Sequence, residues 1–156
     1  MGLLILKVAR RSITAMREAS TGEKKVKGRK RHIVTDIEGH LLHVKVHAAN
    51  IHDTKSAPDV LDRTYEKFPS LKGFSGDEGY KGTTVDHVEK EMGLKIEISK
   101  KLKDQWAVLA KRWVVERTFA WTNNFRRMAK DFEISTCSAE NFIRIAALQV
   151  ILDRLC

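Results

Sequence analysis

The stretch RHIVTDIEGHLLHVKVHAAN, residues 31–50, decides the fold class. Leu42, Val44 and Val46 alternate with polar residues, which is the period-two pattern of a strand. A polar segment that contains a glycine separates this run from an earlier apolar run at Ile33–Val34. The stretch therefore predicts an antiparallel hairpin with its turn at Ile37–His40.

Downstream of the hairpin, helical and strand patterns alternate. They predict a helix that ends before Pro69, a strand that ends in a glycine-rich turn, a helix that Gly93 stops, another strand, one long helix or two joined ones, and a final helix capped by Ser138. The apolar run at 2–8 fits an extra strand in front of the hairpin. This order predicts an α/β domain with a mixed sheet and flanking helices.

Composition limits the class of protein. The 156 residues suit one domain, and 42% hydrophobic content can form a core. Residues 1–35 hold ten Lys and Arg against two acidic residues, whereas the whole chain has a net charge of +9. This asymmetry indicates either a polyanion partner or a solvated basic tail. The two cysteines lack metal-type spacing, and no apolar run is long enough for a membrane span, so we expect a cytoplasmic protein.

The segment SGDEGYKG, residues 75–82, is the first candidate for chemistry. Asp77 follows a predicted strand, and ligands bind at the carboxyl ends of strands in open α/β sheets. A carboxylate there suits a divalent metal, and the surrounding glycines let a phosphate backbone approach. The alternative interpretation is an ordinary turn, because Asp-Glu-Gly is common turn chemistry.

The helix at 111–132 is the second candidate. Its apolar stripe is predicted to comprise Val114, Thr118, Trp121, Phe125, Met128 and Phe132. Glu116 lies on a different face with Arg112, Asn123 and Arg127. The pattern fits a surface ion pair and a metal ligand flanked by phosphate-binding groups about equally well.

Clustered cations are the third candidate. The cluster comprises Lys24, Lys25, Lys27, Arg29, Lys30 and Arg31, and it is predicted to bind phosphates without reading sequence. Arg126 and Arg127 extend the basic surface. His40, His43 and His47 are interpreted as exposed strand residues, because no cysteine or acid completes a zinc set.

Three segments, residues 24–53, 76–82 and 111–133, together resemble the catalytic core of bacterial insertion-sequence transposases. The group is the DDE type of the insertion-sequence-four and -five families, and the insertion-sequence-five branch in particular. The resemblance covers residues 24–155. It predicts an incomplete catalytic core at 24–156, preceded by an aberrant leader at 1–23 whose strand is degenerate.

The resemblance implies a ribonuclease-H-like fold in which three acids bind two Mg²⁺ or Mn²⁺ ions for DNA cleavage and strand transfer. Asp77 matches the second acid and Glu116 the third. Arg112 and Asn123 match DNA-contacting positions around that Glu. The family's first acid, carried in a strand similar to Ile-Asp-Ser-Gln-Ser, has no counterpart before Asp36, so metal binding is expected to be impaired.

The first-acid strand suggests a hypothesis about reading frame. A DNA string that encodes Ile-Asp-Ser-Gln-Ser, read one base later, encodes the Leu-Ile-Leu-Lys-Val found at residues 4–8. Some relatives use programmed frameshifting. The gene sequence tests the hypothesis, which fails if no neighbouring frame over these codons encodes an Asp.

The sequence therefore predicts a truncated DDE transposase core that is catalytically incomplete. Its expected partners are DNA at element ends and targets, and either a second copy or the full-length transposase, in the cytoplasm near the nucleoid. The alternative is a non-catalytic DNA-binding regulator of transposition derived from such an enzyme.

Overall fold

The computed structural model describes residues 3–11, 28–99 and 110–156, with the backbone alone for 3–11 and 110–112. Its strands are β1 (Leu3–Arg11), β2 (Arg29–Thr35), β3 (Leu41–Ala48), β4 (Gly73–Asp77) and β5 (Lys95–Ser99). Its helices are α1 (Asp53–Lys67), α2 (Thr83–Lys90), α3 (Ala110–Asn123), α4 (Arg126–Ala129) and α5 (Thr136–Leu155). A single 3₁₀ turn, Glu78–Tyr80, follows β4 directly.

These five strands form one mixed sheet in the order β3-β2-β1-β4-β5. β1 pairs antiparallel with β2 and parallel with β4, while β4 pairs parallel with β5. The α/β class, the hairpin and the extra strand in front of it are confirmed. The parallel pairs are joined by helical segments, as parallel strands require.

β1 lies at the centre of this sheet and is hydrogen-bonded on both sides. Its residues fall within the segment that the sequence assigned to an aberrant leader. The boundary between that leader and a core at 24–156 stays a prediction, but the sheet itself begins at Leu3.

Helices cover both faces of the sheet. On one face, α1 and α2 pack over Val34, Phe74 and Ile96. On the other, α3 and α5 pack over Ile33, Val44 and other buried side chains. Successive residues of a strand point to opposite faces, and each face of β2 is covered by helices. Residues of β2 that point to either face are therefore buried.

The double covering corrects the interpretation of two histidines. His43 and His47 are buried rather than exposed. The period-two pattern of β3 was correct, but the polar side of the strand lies under α1 instead of facing solvent. A sheet with helices on both faces buries polar residues that alternation alone would place outside.

The C-terminal helices also differ from the predicted stripe and cap. Buried positions include Val115, Thr118 and Met128, whereas Phe132 is 64% exposed. α3 ends at Asn123, so the helical period does not continue to residue 132. α5 begins earlier than predicted: Ser135 is its N-cap, and the Ser135 hydroxyl accepts a hydrogen bond from the backbone N–H of Ser138.

Hydrogen bonds to the β2–β3 hairpin turn hold α3 against the sheet. The Thr118 hydroxyl donates to the carbonyl oxygen of Gly39 at 2.7 Å, and the Arg117 guanidinium donates to the Glu38 carbonyl at 2.7 Å. Arg117 also lies between the rings of Trp113 and Trp121, 4.6 Å from each ring centroid. These contacts fix the helix that carries Glu116 relative to the β2–β3 turn.

We expect His43→Leu to reduce the acid sensitivity of folding. Burial, followed by the nearby Lys67 and Arg144 charges, lowers the pKa of His43 to about 4. Neither ring nitrogen has a hydrogen-bond partner in the described part of the chain. The folded state favours the neutral ring, so the stabilisation is complete above the unfolded-state pKa of about 6.5 and is lost as pH falls towards 4.

Urea unfolding at pH 7 and pH 5 measures this effect. Relative to the unmodified chain, the free energy of unfolding of His43→Leu should improve by about 2 kcal/mol more at pH 5 than at pH 7. Equal changes at the two pH values would contradict the assignment of a buried neutral ring.

Candidate active site

Asp77 is the last residue of β4 and is half-buried. Its Oδ1 accepts a hydrogen bond from the backbone N–H of Gly79 at 3.0 Å, so the carboxylate caps the 3₁₀ turn. The structure therefore contains the turn that the sequence offered as one interpretation of Asp77, and the metal-ligand interpretation stays a prediction. The capping hydrogen bond uses one lone pair of Oδ1, and the other lone pairs of the carboxylate can bind a ligand.

Position 5 lies beside this strand end. In the sheet register, residue 5 pairs with Thr35 of β2 on one side and with Ser75 of β4 on the other. Thr35 and Ser75 are both buried, and the Thr35 hydroxyl has no hydrogen-bond partner among the residues described. Asp77 follows Ser75 by two residues, so both side chains point to the same face of the sheet.

That face is the one that α3 covers. Phe74, one residue from Ser75, packs with α1 and α2, which places Ser75 and Asp77 on the opposite side. α3 contacts β1, β2 and β4. The structure thus brings the helix of Glu116 against the strands of Asp77 and of position 5.

Glu116 is exposed, and it follows the fully buried Val115. Arg112 precedes it by one helical turn, although the structure describes only the backbone there. Asn123 is the last residue of α3 and is half-buried. Arg112, Glu116 and Asn123 therefore all lie on α3, whereas Arg127, predicted on the same helix face, lies in α4 beyond the end of α3.

Much of the basic cluster has a different role from the predicted one. Lys30 is 5% exposed, and its ammonium group lies 2.8 Å from Asp53 Oδ1 and 2.6 Å from the Ile51 carbonyl oxygen. Arg31 is buried and donates to the Met128 carbonyl. Because their charged groups are held inside the protein, we withdraw both residues as phosphate ligands.

Arg29 is half-buried, and its charged group is also occupied by protein partners, which contradicts its assignment as a phosphate ligand. Its guanidinium donates to the carbonyl oxygens of Ile134 and Ser135 and pairs with Asp131 at 3.4 Å. Lys24, Lys25 and Lys27 lie outside the described residues. A run of Lys and Arg in the sequence does not reveal which side chains face solvent and which lie on a strand that is buried on both faces.

The exposed cations lie further along the chain. Arg126 and Arg127 are exposed in α4, close to α3. Arg127 pairs with Glu133 at 3.6 Å and stacks over the Phe142 ring at 4.7 Å. The Arg127 side chain is 62% exposed whereas that of Glu133 is 18% exposed, so the guanidinium of Arg127 remains accessible to solvent while it makes this pair.

Sequence patterns missed a buried polar network behind Asp77. It consists of Tyr80, His32, Ser56 and His47, which are joined by side-chain hydrogen bonds. Tyr80 was visible in the glycine-rich segment, but its partners come from β2, β3 and α1. No spacing in the sequence indicates that they meet.

A metal site is implied by the resemblance. Within residues 3–11, 28–99 and 110–156, no group of three or more His, Cys, Asp and Glu side chains is placed so that it could hold a metal ion. Among these described residues the three-acid set that the resemblance implies is not assembled, and residue 5 of the central strand is Ile.

The fold is ribonuclease-H-like. The structure is similar to the catalytic core domain of BIV integrase, with a TM-score of 0.57 at 9% identity over 94% of this chain and 81% of that one. It is also similar to a chain of the simian T-cell lymphotropic virus intasome solved with the PP2A regulatory subunit B56 gamma. There the TM-score is 0.58 at 11% identity, over 94% of this chain and 46% of that chain.

Sequence comparison adds the family. Residues 6–149 match the model of the transposase DDE domain, so the chain belongs to that family. Over 118 residues it is 32% identical to a protein described as a transposase for insertion sequence element IS402 from Burkholderia cepacia. The match covers 68% of this chain and 54% of the relative, so it spans about half of that protein. Among the described helices, none is long and apolar enough to cross a membrane.

Proposed function

We propose that this chain is a DNA transposase core of a bacterial insertion sequence that is catalytically incomplete because position 5 lacks a carboxylate. Asp77 and Glu116 are the second and third metal ligands in this proposal. Arg112 and Asn123 contact DNA beside them, together with Arg126 and Arg127 and the lysines at 24, 25 and 27. A second copy or the full-length transposase is the proposed protein partner.

The observation that carries the proposal is the environment of position 5, which pairs with Thr35 on β2 and with Ser75 on β4. Thr35 and Ser75 flank this position and are buried on the face that α3 covers. A buried hydroxyl without a partner is costly and uncommon. A carboxylate at position 5 would accept a hydrogen bond from the Thr35 hydroxyl and would add an oxygen ligand for divalent ions beside Asp77.

Restoring that acid tests the proposal. With Mg²⁺ or Mn²⁺, Ile5→Asp should raise nicking of supercoiled plasmid, and strand transfer of a duplex carrying the element's ends, by at least about a hundredfold. The reason is that a carboxylate on the central strand adds negative charge beside Asp77, where it can bind the metal ions together with Asp77 and Glu116. Ile5→Asn is the matched control, because the amide has the same shape without the charge.

The double variant Ile5→Asp with Asp77→Ala should return nicking to the level of the unmodified chain. If Ile5→Asp folds, as judged by circular dichroism, and gives no metal-dependent nicking, the incomplete-enzyme proposal is wrong. Salt-sensitive DNA binding without nicking by any variant would instead support the alternative, a non-catalytic regulator that occupies DNA.

A further inference from the structure

Tyr80 connects the Asp77 turn to the protein interior. Its side chain is 1% exposed, and its ring lies against the backbone of Gly76, where an added Cβ would come within 3.3 Å of Tyr80 Cδ2. The Tyr80 hydroxyl is 3.4 Å from His32 Nδ1, and the two rings meet edge to face with centroids 6.3 Å apart. Tyr80 therefore anchors the chain on both sides of Asp77, because its ring packs on Gly76 and its backbone ends the 3₁₀ turn Glu78–Tyr80.

His32 continues the network into α1 and β3. Its Nε2 is 3.1 Å from the Ser56 hydroxyl, and that hydroxyl is 3.1 Å from His47 Nε2. His47 Nδ1 lies 2.8 Å from the carbonyl oxygen of Ala48. Two imidazole rings, 4.6 Å apart between centroids, are therefore bridged by a single hydroxyl.

The contact between His47 Nδ1 and the Ala48 carbonyl oxygen fixes the position of each proton in the network. A carbonyl oxygen only accepts, so His47 Nδ1 carries a proton and its Nε2 is the acceptor when the ring is neutral. Ser56 then donates to His47 and accepts from His32 Nε2–H. His32 Nδ1 is left as the acceptor for the Tyr80 hydroxyl.

Burial favours these neutral forms. It lowers the pKa of His32 to about 3 and also lowers the pKa of His47, with the charge of Lys30 acting in the same direction on both. Burial raises the pKa of Tyr80, so the phenol keeps its proton. Ser56 is also 3.2 Å from the Asp53 carbonyl, but donating there would leave His47 Nε2 without a donor.

We propose that Tyr80 is a positioning residue for the Asp77 carboxylate, held by a one-directional hydrogen-bond chain from Tyr80 through His32, Ser56 and His47 to the Ala48 carbonyl. The chain fixes the 3₁₀ turn whose Gly79 N–H binds Asp77 Oδ1. This role rests on the proposed function only in treating Asp77 as a metal ligand.

Nitrogen-15 NMR of the imidazole rings tests the direction of the chain in the unmodified protein. At pH 7 we expect His32 to be protonated on Nε2 and His47 on Nδ1, which are opposite tautomers. A His32 ring protonated on Nδ1 would overturn the proposal, because Tyr80 could not then donate to it.

Tyr80→Phe tests positioning. Amide exchange at Gly79 should accelerate at least about tenfold more than exchange at Val34 in the sheet core, because only the turn loses its anchor. Tyr65→Phe, a change on α1 outside this network, should leave both rates unchanged. Equal acceleration at Gly79 and Val34 would show a general loss of stability and overturn the proposal. Should Tyr80→Phe not fold, Ser56→Ala serves, with the His47 tautomer and Gly79 exchange as its measurements.

Mn²⁺ titration of Ile5→Asp separates this proposal from the proposed function. Adding Tyr80→Phe should weaken Mn²⁺ binding about tenfold, and unchanged binding would overturn the positioning role. If Ile5→Asp itself binds no Mn²⁺, the proposed function fails, and the NMR and exchange results alone decide the role of Tyr80.

Discussion

Asp53→Ala is expected to reduce the free energy of unfolding by about 3–5 kcal/mol. The variant leaves the Lys30 ammonium group buried, 2.6 Å from the Ile51 carbonyl oxygen and without its carboxylate partner. A buried charge that loses its counter-ion cannot recover solvation without opening the structure. Asp53 also begins α1, where a carboxylate interacts favourably with the helix dipole. Urea unfolding at pH 7 measures the loss.

Asp86→Ala is the matched control for this change. Asp86 also lies in the first turn of a helix, but its side chain is 63% exposed and its pair with Lys90 spans 3.8 Å. Its loss should cost less than about 1 kcal/mol. Combining Asp53→Ala with Lys30→Met removes both buried charges and should recover at least half of the loss. Equal effects of Asp53→Ala and Asp86→Ala would contradict the buried pair.

Gly39→Ala is expected to destabilise the protein by about 3 kcal/mol, through two effects at one residue. Gly39 has φ +89°, which L side chains rarely adopt, and an added Cβ would lie 2.8 Å from Thr118 Oγ1 and 3.3 Å from Trp121 Cζ3. Thr118 would have to move, which would lengthen its hydrogen bond to the Gly39 carbonyl. Thermal and urea unfolding measure the change.

Gly93→Ala separates the two effects. Gly93 has φ +65°, but an added Cβ would meet nothing within 4 Å. We therefore expect about 1–2 kcal/mol from backbone strain alone. If both alanine variants lose the same stability, α3 is not held against the turn as the contacts indicate.

Local patterns predicted the elements of this fold well. Alternation in residues 41–48 identified β3, and the apolar run near the start of the chain identified the position of β1. Side-chain environments were harder to predict, because they depend on what covers a strand. His47 alternates as a surface residue would, yet α1 lies over it and Ser56 binds it.

For the candidate site, the placement of residues can be compared with the sequence, while the roles of Asp77 and Glu116 stay predictions. The family motifs identify Asp77 and Glu116, and the structure places them on β4 and on the helix packed against it. The support behind Asp77 was not predictable, since Tyr80 and His32 are joined only by the tertiary fold. Lys30 and Arg31 were misassigned because charge alone does not reveal that a strand is buried on both faces.

The inward cations change what the net charge of +9 means for association with a polyanion. Arg29, Lys30 and Arg31 are neutralised or solvated by protein groups, so they release no condensed counter-ions from a DNA partner. The entropy gained on association therefore comes from fewer cations than the sequence displays. For the proposed association with DNA, the isoelectric point therefore overstates the electrostatic driving force.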